Sequence, residues 1–299
     1  MSIFISIMRK DLSVLAIGEI LFDVFNNDKK PGGSSMNVAL HLHKQGIKTH
    51  FISAVGNDKN GEELIQYLKN QNFDTKYIQH HLSLPTSTVT VNLDKNLQAS
   101  YVINQPVGWD EITLNKEAVE LAKNSSAMIY CSLTCRNTIS RNTVFQLLNH
   151  AKLKVFDINL RSPHYDLETI KYLLTKADIL KINEDEIIYL KESLMIKGNE
   201  NEILKILLDQ FDLKLICLTL GDKGAKVYYK GQFYSHKGYK IKVVDSVGAG
   251  DAFLATFIAG YLKQNPIEKN LDDACKVGAF VASKSGANPD YDFESLTAK

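Results

Sequence analysis

The stretch Lys242-Val-Val-Asp-Ser-Val-Gly-Ala-Gly-Asp-Ala-Phe253 joins a strand-like apolar run to a helical one through a turn with two glycines. Gly248 and Gly250 carry no Cβ atom, so the backbone can turn sharply and approach a ligand closely. A helix predicted over residues 250–263 directs free N–H groups and its positive end back at the turn. The pattern therefore favours an anion hole, and Asp251 beside it is placed to accept a proton from a hydroxyl.

The same residues allow another interpretation, a tight turn followed by a helix-capping acid, and two glycines with one aspartate do not decide between them. Other nucleotide-binding signatures are excluded. Phe253 stands where a dinucleotide-binding fingerprint needs its third glycine. The sequence contains no Gly-x-x-x-x-Gly-Lys-Ser/Thr loop and no protein-kinase motifs.

Short apolar runs alternate with helical-period segments along the chain, an order that predicts a doubly wound, mainly parallel α/β sheet. The predicted strands are rich in Val, Ile and Leu and cover residues 14–18, 50–55, 127–131, 154–158, 179–182 and 215–219. The predicted helices cover residues 35–45, 61–70, 138–151, 167–175, 202–209, 250–263 and 271–285.

Two stretches depart from this order and predict a small β-sheet lid. Residues 19–26 continue from the first strand, and residues 86–93 and 98–104 alternate in hydrophobicity around a turn at 94–96. We expect one domain over residues 1–299, with the lid built from about 19–31 and 86–105.

Composition limits the classes of function. The 299 residues carry a formal net charge of +1, which does not favour a nucleic-acid partner or a membrane surface. The four cysteines lie in patterns typical of small buried side chains in a reducing compartment. The N-terminal apolar stretch is too short for a membrane span and is followed, not preceded, by positive charge. We expect a cytoplasmic protein.

Residues 245–253 resemble the C-terminal signature of the ribokinase-like carbohydrate kinases, the PfkB family. A second family motif, Gly-Gly-x-x-x-Asn-x-Ala, is matched by Gly32-Gly33-Ser-Ser-Met-Asn37-Val-Ala39. Ser35 departs from the Gly, Ala or Pro usual at its position. The resemblance extends from about residue 14 to 287, and it implies an ATP-dependent sugar kinase with Mg²⁺ as cofactor.

The resemblance also assigns a sugar site. Gly32, Gly33 and Asn37 would lie under the sugar, where the Asn37 amide can both donate and accept. Asp23 matches the carboxylate that binds sugar hydroxyls, although a solvated lid residue is the alternative. Arg161 ends an Asp-x-Asn-x-Arg motif and would assist phosphoryl transfer with a two-pronged hydrogen bond. A structural salt bridge is its alternative.

ATP contacts follow from two further motifs. Asn183-Glu-Asp-Glu186 resembles the family's Asn-x-x-Glu, which organises Mg²⁺ indirectly, and it is also a helix capping box. Thr219, Gly221 and Gly224 match a Thr-x-Gly-x-x-Gly that lies against ATP. A monovalent cation such as K⁺ near Asp245 and residues 284–287 is implied by the family alone.

The mechanism implied is in-line transfer, with Asp251 as base and the N–H groups of Gly248, Ala249 and Gly250 around the transferring group. Residues 18–23 and 106–110 look most like the fructokinase branch, although Trp109 also suits an ordinary core aromatic. No Lys or Arg lies between Gly32 and Lys44, which favours an unphosphorylated sugar. The alternatives are another sugar (ribose, 2-keto-3-deoxygluconate), a nucleoside acceptor, or a non-catalytic regulator that binds a sugar or a nucleotide. The resemblance also implies a homodimer formed through the lid.

Overall fold

The computed structural model describes residues 12–25, 28–93 and 99–298. Its strands are, in chain order, β1 (Ser13–Ile17), β2 (Leu21–Phe25), β3 (Asp28–Gly32), β4 (Lys48–Gly56), β5 (Ile78–His81), β6 (Ser87–Leu93), β7 (Ala99–Ile103), β8 (Ala127–Cys131), β9 (Lys154–Asp157), β10 (Ile179–Asn183), β11 (Leu215–Thr219), β12 (Ala225–Tyr229) and β13 (Gln232–His236).

Seven of the ten described helices begin at a side chain that accepts a hydrogen bond from a first-turn N–H group, namely Asp58, Asn115, Asn137, Asp166, Asn183, Asn199 and Asp292. The helices are α1 (Ser34–Lys44), α2 (Lys59–Asn70), α3 (Lys116–Asn124), α4 (Thr138–Leu148), α5 (Leu167–Lys176), α6 (Glu184–Ser193), α7 (Glu200–Gln210), α8 (Ala249–Leu262), α9 (Ile267–Ala282) and α10 (Phe293–Thr297).

A nine-stranded sheet runs through the centre in the order β13-β12-β11-β10-β9-β8-β1-β4-β5. All neighbours pair in parallel except β11–β12 and β12–β13. Helices cover both faces: Leu15 and Ile17 of β1 pack in one apolar cluster with α4 and α5, and Val14 packs in another with α1 and α8. The predicted mainly parallel α/β fold is confirmed.

A small sheet of four strands, in the order β3-β2-β6-β7, lies beside the central one. Strand β2 pairs antiparallel with β3 and parallel with β6, and β6 and β7 form an antiparallel hairpin. The predicted β-sheet lid is therefore present, while its predicted turn at 94–96 lies outside the described residues.

The segment before the glycine turn differs from the prediction. Residues 242–244 form no strand, and Val243 and Val244 are each 59% exposed. The chain has left the sheet edge at β13 here, and its contact with the core is through Val244 and Asp245, whose N–H groups donate to the Ala282 carbonyl. Apolar β-branched residues resemble a strand locally, but without a neighbouring strand they do not form one.

Several buried features agree with the simpler interpretations of the sequence. All four cysteines are free and buried, and Cys131 also donates a hydrogen bond to Glu19 at 3.3 Å. Trp109 is fully buried, with the Arg136 guanidinium 4.0 Å above its ring, so it is a core aromatic. Across the described part of the chain, no helix has the length and apolar character that a membrane crossing requires.

Candidate active site

Asp251 lies where the first turn of α8 meets the first turn of α1. Its Oδ1 accepts a hydrogen bond from the Ser34 hydroxyl at 2.7 Å, and its Oδ2 accepts one from the Asn37 amide at 2.8 Å. No side chain caps α8. The carboxylate is thus fixed by another helix, which disfavours the interpretation of Asp251 as a capping acid. Burial raises the pKa of Asp251, and the hydrogen bonds from Asn37 and Ser34 oppose that rise.

The glycine turn before α8 needs its first glycine for steric reasons. Gly248 has φ +80°, and a Cβ there would lie 2.5 Å from the Cβ of Ala287. A Cβ at Gly250 would meet only the Lys181 ammonium, at 3.6 Å, so space remains above it. The Ala249 N–H donates to the Ser246 carbonyl at 3.3 Å. The N–H groups of Gly248 and Gly250 find no acceptor among the described residues, as an anion hole requires.

A third residue sets the orientation of Asn37. The Asn288 amide donates to the Asn37 side-chain oxygen at 2.7 Å, so Asn37 presents its NH₂ group to Asp251. Asn288 lies just after α9 and joins the C-terminal segment to the site. The two hydrogen bonds, from Asn288 to Asn37 and from Asn37 to Asp251, therefore define which end of the Asn37 amide faces the acid.

Asp23 enters the site from β2 of the small sheet. Gly32 on the neighbouring strand β3, two positions along from the residue that pairs with Asp23, makes room for its side chain, since a Cβ at Gly32 would lie 2.4 Å from Asp23 Oδ2. Burial, with the charges of Asp245 and Asp251, raises the pKa of Asp23 to about 6, although Arg161 opposes this. Asp23 is therefore one of a group of partly buried acids and is not freely solvated.

The small sheet also brings a cation to the site. Lys30 pairs with Asp23 in the β2–β3 register, and its ammonium donates to the Ser285 hydroxyl at 2.8 Å. The small sheet thus touches the loop that follows α9. Lys30 lies outside residues 32–44, the range whose lack of Lys and Arg favours an unphosphorylated sugar, and the structure places it beside Asp23.

The carboxyl ends of β9 and β10 carry a second charged group. Lys181 of β10 is buried and forms an ion pair with Asp157 of β9 at 2.9 Å. Glu186 closes the capping box of α6: its two oxygens accept from the backbone N–H groups of Leu160, at 3.1 Å, and Asn183, at 2.8 Å. Arg161 is exposed, and no described acid lies within ion-pair distance of it. A structural salt bridge is therefore not its role in this structure.

Predicted ATP residues line up beyond the next strand. Asn183 and Thr219 are partners in the β10–β11 register, so both lie at the carboxyl ends of these neighbouring strands. Thr219 donates weakly to the Ile182 carbonyl at 3.4 Å. Gly221 has φ +56°, and Gly224 has φ +89° with a Cβ position only 2.0 Å from the His236 carbonyl. Gly224 therefore has no room for a side chain, whereas at Gly221 glycine relieves only backbone strain.

The unpartnered polar atoms of the site suit the binding of a nucleotide together with Mg²⁺. Asp157 Oδ2 and Asn159 Nδ2 are buried without a hydrogen-bond partner, one an acceptor and the other a donor. Among the described residues no three His, Cys, Asp or Glu side chains are grouped as metal ligands. Mg²⁺ commonly binds through phosphate oxygens, water and one or two carboxylates, so this arrangement suits an ion that arrives with ATP.

Asp245 ties together two loops at the other side of the turn. Its Oδ1 accepts from the Val247 N–H at 3.1 Å, and its Oδ2 accepts from the Gly286 N–H at 3.0 Å. The carboxylate therefore joins the glycine turn to the loop of residues 284–287, where the sequence resemblance implied a monovalent cation.

Comparisons with known proteins agree with this fold. The fold is ribokinase-like, and the family model described as pfkB family carbohydrate kinase matches residues 5–293. The chain belongs to the pfkB family of carbohydrate kinases. The chain is 30% identical over 298 residues to an ATP-dependent 6-phosphofructokinase of Thermoanaerobacterium thermosaccharolyticum, covering 93% of this chain and 90% of that one. It is 28% identical to fructokinase-2 of Zea mays over 279 residues, covering 87% and 82%.

A solved structure is similar along nearly the whole chain. The uncharacterized sugar kinase of Pyrococcus horikoshii in complex with ATP has a TM-score of 0.75 and 31% identity, covering 92% of this chain and 94% of that one. The predicted family is therefore confirmed, and the prediction that the protein is a carbohydrate kinase is confirmed at the level of the family.

Besides Lys30, sequence reasoning missed three residues at the described site: Ser34, Lys181 and Asn288. Only Lys181 had a usable signal, because a lysine inside the apolar run Ile179–Ile182 is unusual unless it is paired. Ser34 and Asn288 are small polar residues whose partners lie 217 and 251 positions away. Local patterns carry no information about such contacts.

Proposed function

We propose that this chain transfers the γ-phosphoryl group of ATP to a primary hydroxyl of a small unphosphorylated sugar, with fructose as the acceptor. The observation that carries the proposal is Asp251, fixed by Ser34 and Asn37 at the start of α8. A general base must be held within reach of the hydroxyl while its own helix leaves N–H groups free for the phosphoryl oxygens.

The chemistry follows from that arrangement. Asp251 takes the proton of the hydroxyl, the sugar oxygen bonds to the γ-phosphorus, and the bond from phosphorus to the β–γ bridging oxygen breaks to leave ADP. The N–H groups of Gly248 and Gly250 stabilise the transferring group, and the Ala249 N–H completes the turn. Arg161, exposed beyond β9, assists in stabilising the transferring group.

We assign the remaining residues to substrate and nucleotide. Asp23 and Asn37 bind sugar hydroxyls over Gly32 and Gly33. Asn183, Thr219, Gly221 and Gly224 contact ATP. Glu186 would act on Mg²⁺ indirectly, because both its oxygens already accept hydrogen bonds from backbone N–H groups. Bound magnesium would neutralise charge on the phosphates. K⁺ bound beside Asp245 would stiffen the two loops that this residue joins.

Fructose is favoured by the fructokinase relative and by the fructokinase-like sequence around residues 18–23 and 106–110. A second candidate is a phosphorylated sugar, because Lys30 lies beside Asp23 and because a relative at 30% identity is a 6-phosphofructokinase. An ADP-release assay should compare fructose, fructose 6-phosphate, ribose, 2-keto-3-deoxygluconate and nucleosides. Preference for the phosphorylated sugar would overturn the choice of an unphosphorylated acceptor.

Dimerisation through the small sheet stays a prediction. Strand β7 is an edge strand and exposes half of Val102, which suits pairing with a second copy. Sedimentation of the wild type and of Val102→Lys tests it: a dimer that the substitution dissociates supports this interface. A monomeric wild type contradicts it.

A further inference from the structure

Lys181 is a buried cation inside the central sheet, and the motifs of the sequence leave it without a role. It occupies the middle of β10, and only 6% of its surface is exposed. In the strand register it stands directly opposite Asp157, and the two side chains form an ion pair at 2.9 Å. Burying a lysine is costly, so its presence here needs an explanation beyond packing.

The position of the ammonium relates it to the phosphoryl-transfer site. It lies beneath the first turn of α8, 3.6 Å from where a Cβ of Gly250 would stand. Burial lowers the pKa of Lys181, but the charges of Asp157 and Glu186, with a smaller effect of Asp251, outweigh burial and raise it overall. Lys181 is thus a permanent positive charge among three acids.

We propose that Lys181 is a positioning residue for phosphoryl transfer, whose buried charge balances Asp157 and Glu186 and holds Asp251 as a carboxylate. Without Lys181, the site would contain three acids close together before ATP brings its own negative charge. Their repulsion would favour protonation of Asp251 and would oppose nucleotide phosphates. This inference rests on the proposed role of Asp251 as the base.

The charges that face Asp251 act in known directions. Asp157 on β9 favours its protonated form, while Lys181 on β10 favours its ionised form. Ser34 and Asn37 on α1 donate to the carboxylate, and Asp23 on β2 adds a further negative charge. Two single substitutions should therefore move the titration of the base in opposite directions.

The experiment compares pH profiles of kcat/KM for the wild type, Lys181→Met and Asp157→Asn. In Lys181→Met the acid limb should move to higher pH, so that activity near pH 6 falls about tenfold more than activity near pH 8. In Asp157→Asn the limb should move to lower pH, and in the double variant the two shifts should offset. Lys181→Arg should restore most of the profile, because it keeps the charge.

Lys154→Met is the matched control. Lys154, the first residue of β9, pairs with Asp178 at 3.4 Å, at the amino-terminal ends of β9 and β10 and so away from Asp251. If an ion pair has only a structural role, its loss should lower stability and leave the acid limb of the pH profile in place. If Lys181→Met does not fold, Asp157→Asn, which keeps size and the lysine, decides the question. An unmoved acid limb in the variant that folds overturns the inference.

Binding of MgATP without sugar, measured by calorimetry, gives a readout that does not need turnover. Lys181→Met should weaken binding about tenfold, whereas Lys154→Met should leave it unchanged. Equal weakening in both variants, or none in Lys181→Met, counts against the proposal. Asp251→Asn is measured beside them. If it keeps full turnover, the assignment of the base fails, and that failure is distinct from an unmoved limb in an enzyme that does depend on Asp251.

Discussion

The Asn37 amide donates a hydrogen bond of 2.8 Å to the Asp251 carboxylate, across 214 positions of sequence. This contact joins the two motifs that identify the family, one at the start of α1 and the other at the start of α8. It places the polar end of the sugar-side motif on the acid that we propose as the base.

Asn37→Ala should lower kcat/KM about 10–100-fold, because Asp251 loses a donor and the rise of its pKa by burial is less opposed. Asn288→Leu should have a smaller effect in the same direction, since Asn37 would lose the partner that orients its amide. Steady-state kinetics measure both, and Asn70→Ala at the exposed end of α2 is the control. An Asn288→Leu enzyme with wild-type kinetics would mean that Asn37 needs no support.

The pKa of Asp23, about 6, predicts how sugar binding depends on pH. Above that pH Asp23 is ionised and can accept hydrogen bonds from two sugar hydroxyls, and below it the protonated acid accepts less well. The KM for sugar should therefore rise as the pH falls through 6, while the KM for ATP changes less. A sugar KM that stays constant from about pH 5 to 8 would remove Asp23 from the sugar site.

Asp23→Asn should weaken sugar binding and yet stabilise the free protein at neutral pH. Because burial raises the pKa from 3.8 to about 6, the stability that protonated Asp23 contributes is full below 3.8 and is lost as the pH rises through 6. An asparagine does not ionise, so the variant avoids this loss of unfolding free energy, which is up to about 3 kcal/mol. Thermal unfolding at about pH 8 and pH 4 should show a gain only at the higher pH. A lower Tm at pH 8 would show that ionised Asp23 is a structural residue.

Gly248→Ala should reduce kcat about tenfold or more, because its Cβ would push Ala287 away and disturb the turn before α8. Gly231→Ala is a matched control. Gly231 has φ +76°, close to the +80° of Gly248, but its Cβ would meet nothing within 4 Å. Both variants should lose about 1 kcal/mol from backbone strain. Equal kinetics in the two would mean that the turn tolerates displacement.

The sequence was most informative where the chemistry is local. The parallel strands could be predicted because residues such as Val14 and Leu15 are buried on opposite faces of one strand, which gives an uninterrupted apolar run. The tight turns at Gly248 and Gly224 could be predicted because glycine readily adopts a positive φ and has no Cβ to meet a close neighbour.

The prediction failed where structure depends on distant partners. Val243 and Val244 look like a strand, but no neighbouring strand pairs with them. Lys30 precedes the motif in the chain and was left out of the charge argument, although sheet pairing brings it beside Asp23. The contact from Asn288 to Asn37 depends on how the end of the chain returns to α1.

The most direct test is sugar-dependent ADP formation by Asp251→Asn, with Glu62→Gln as control. Glu62 is also an acid in the first turn of a helix, but it is exposed on α2. Asp251→Asn should lower kcat about 10²–10⁴-fold. Its Tm should be equal to or above that of the wild type, since burial disfavours the charge, and Glu62→Gln should behave as wild type. Wild-type turnover by a correctly folded Asp251→Asn enzyme would contradict the assignment of Asp251 as the base.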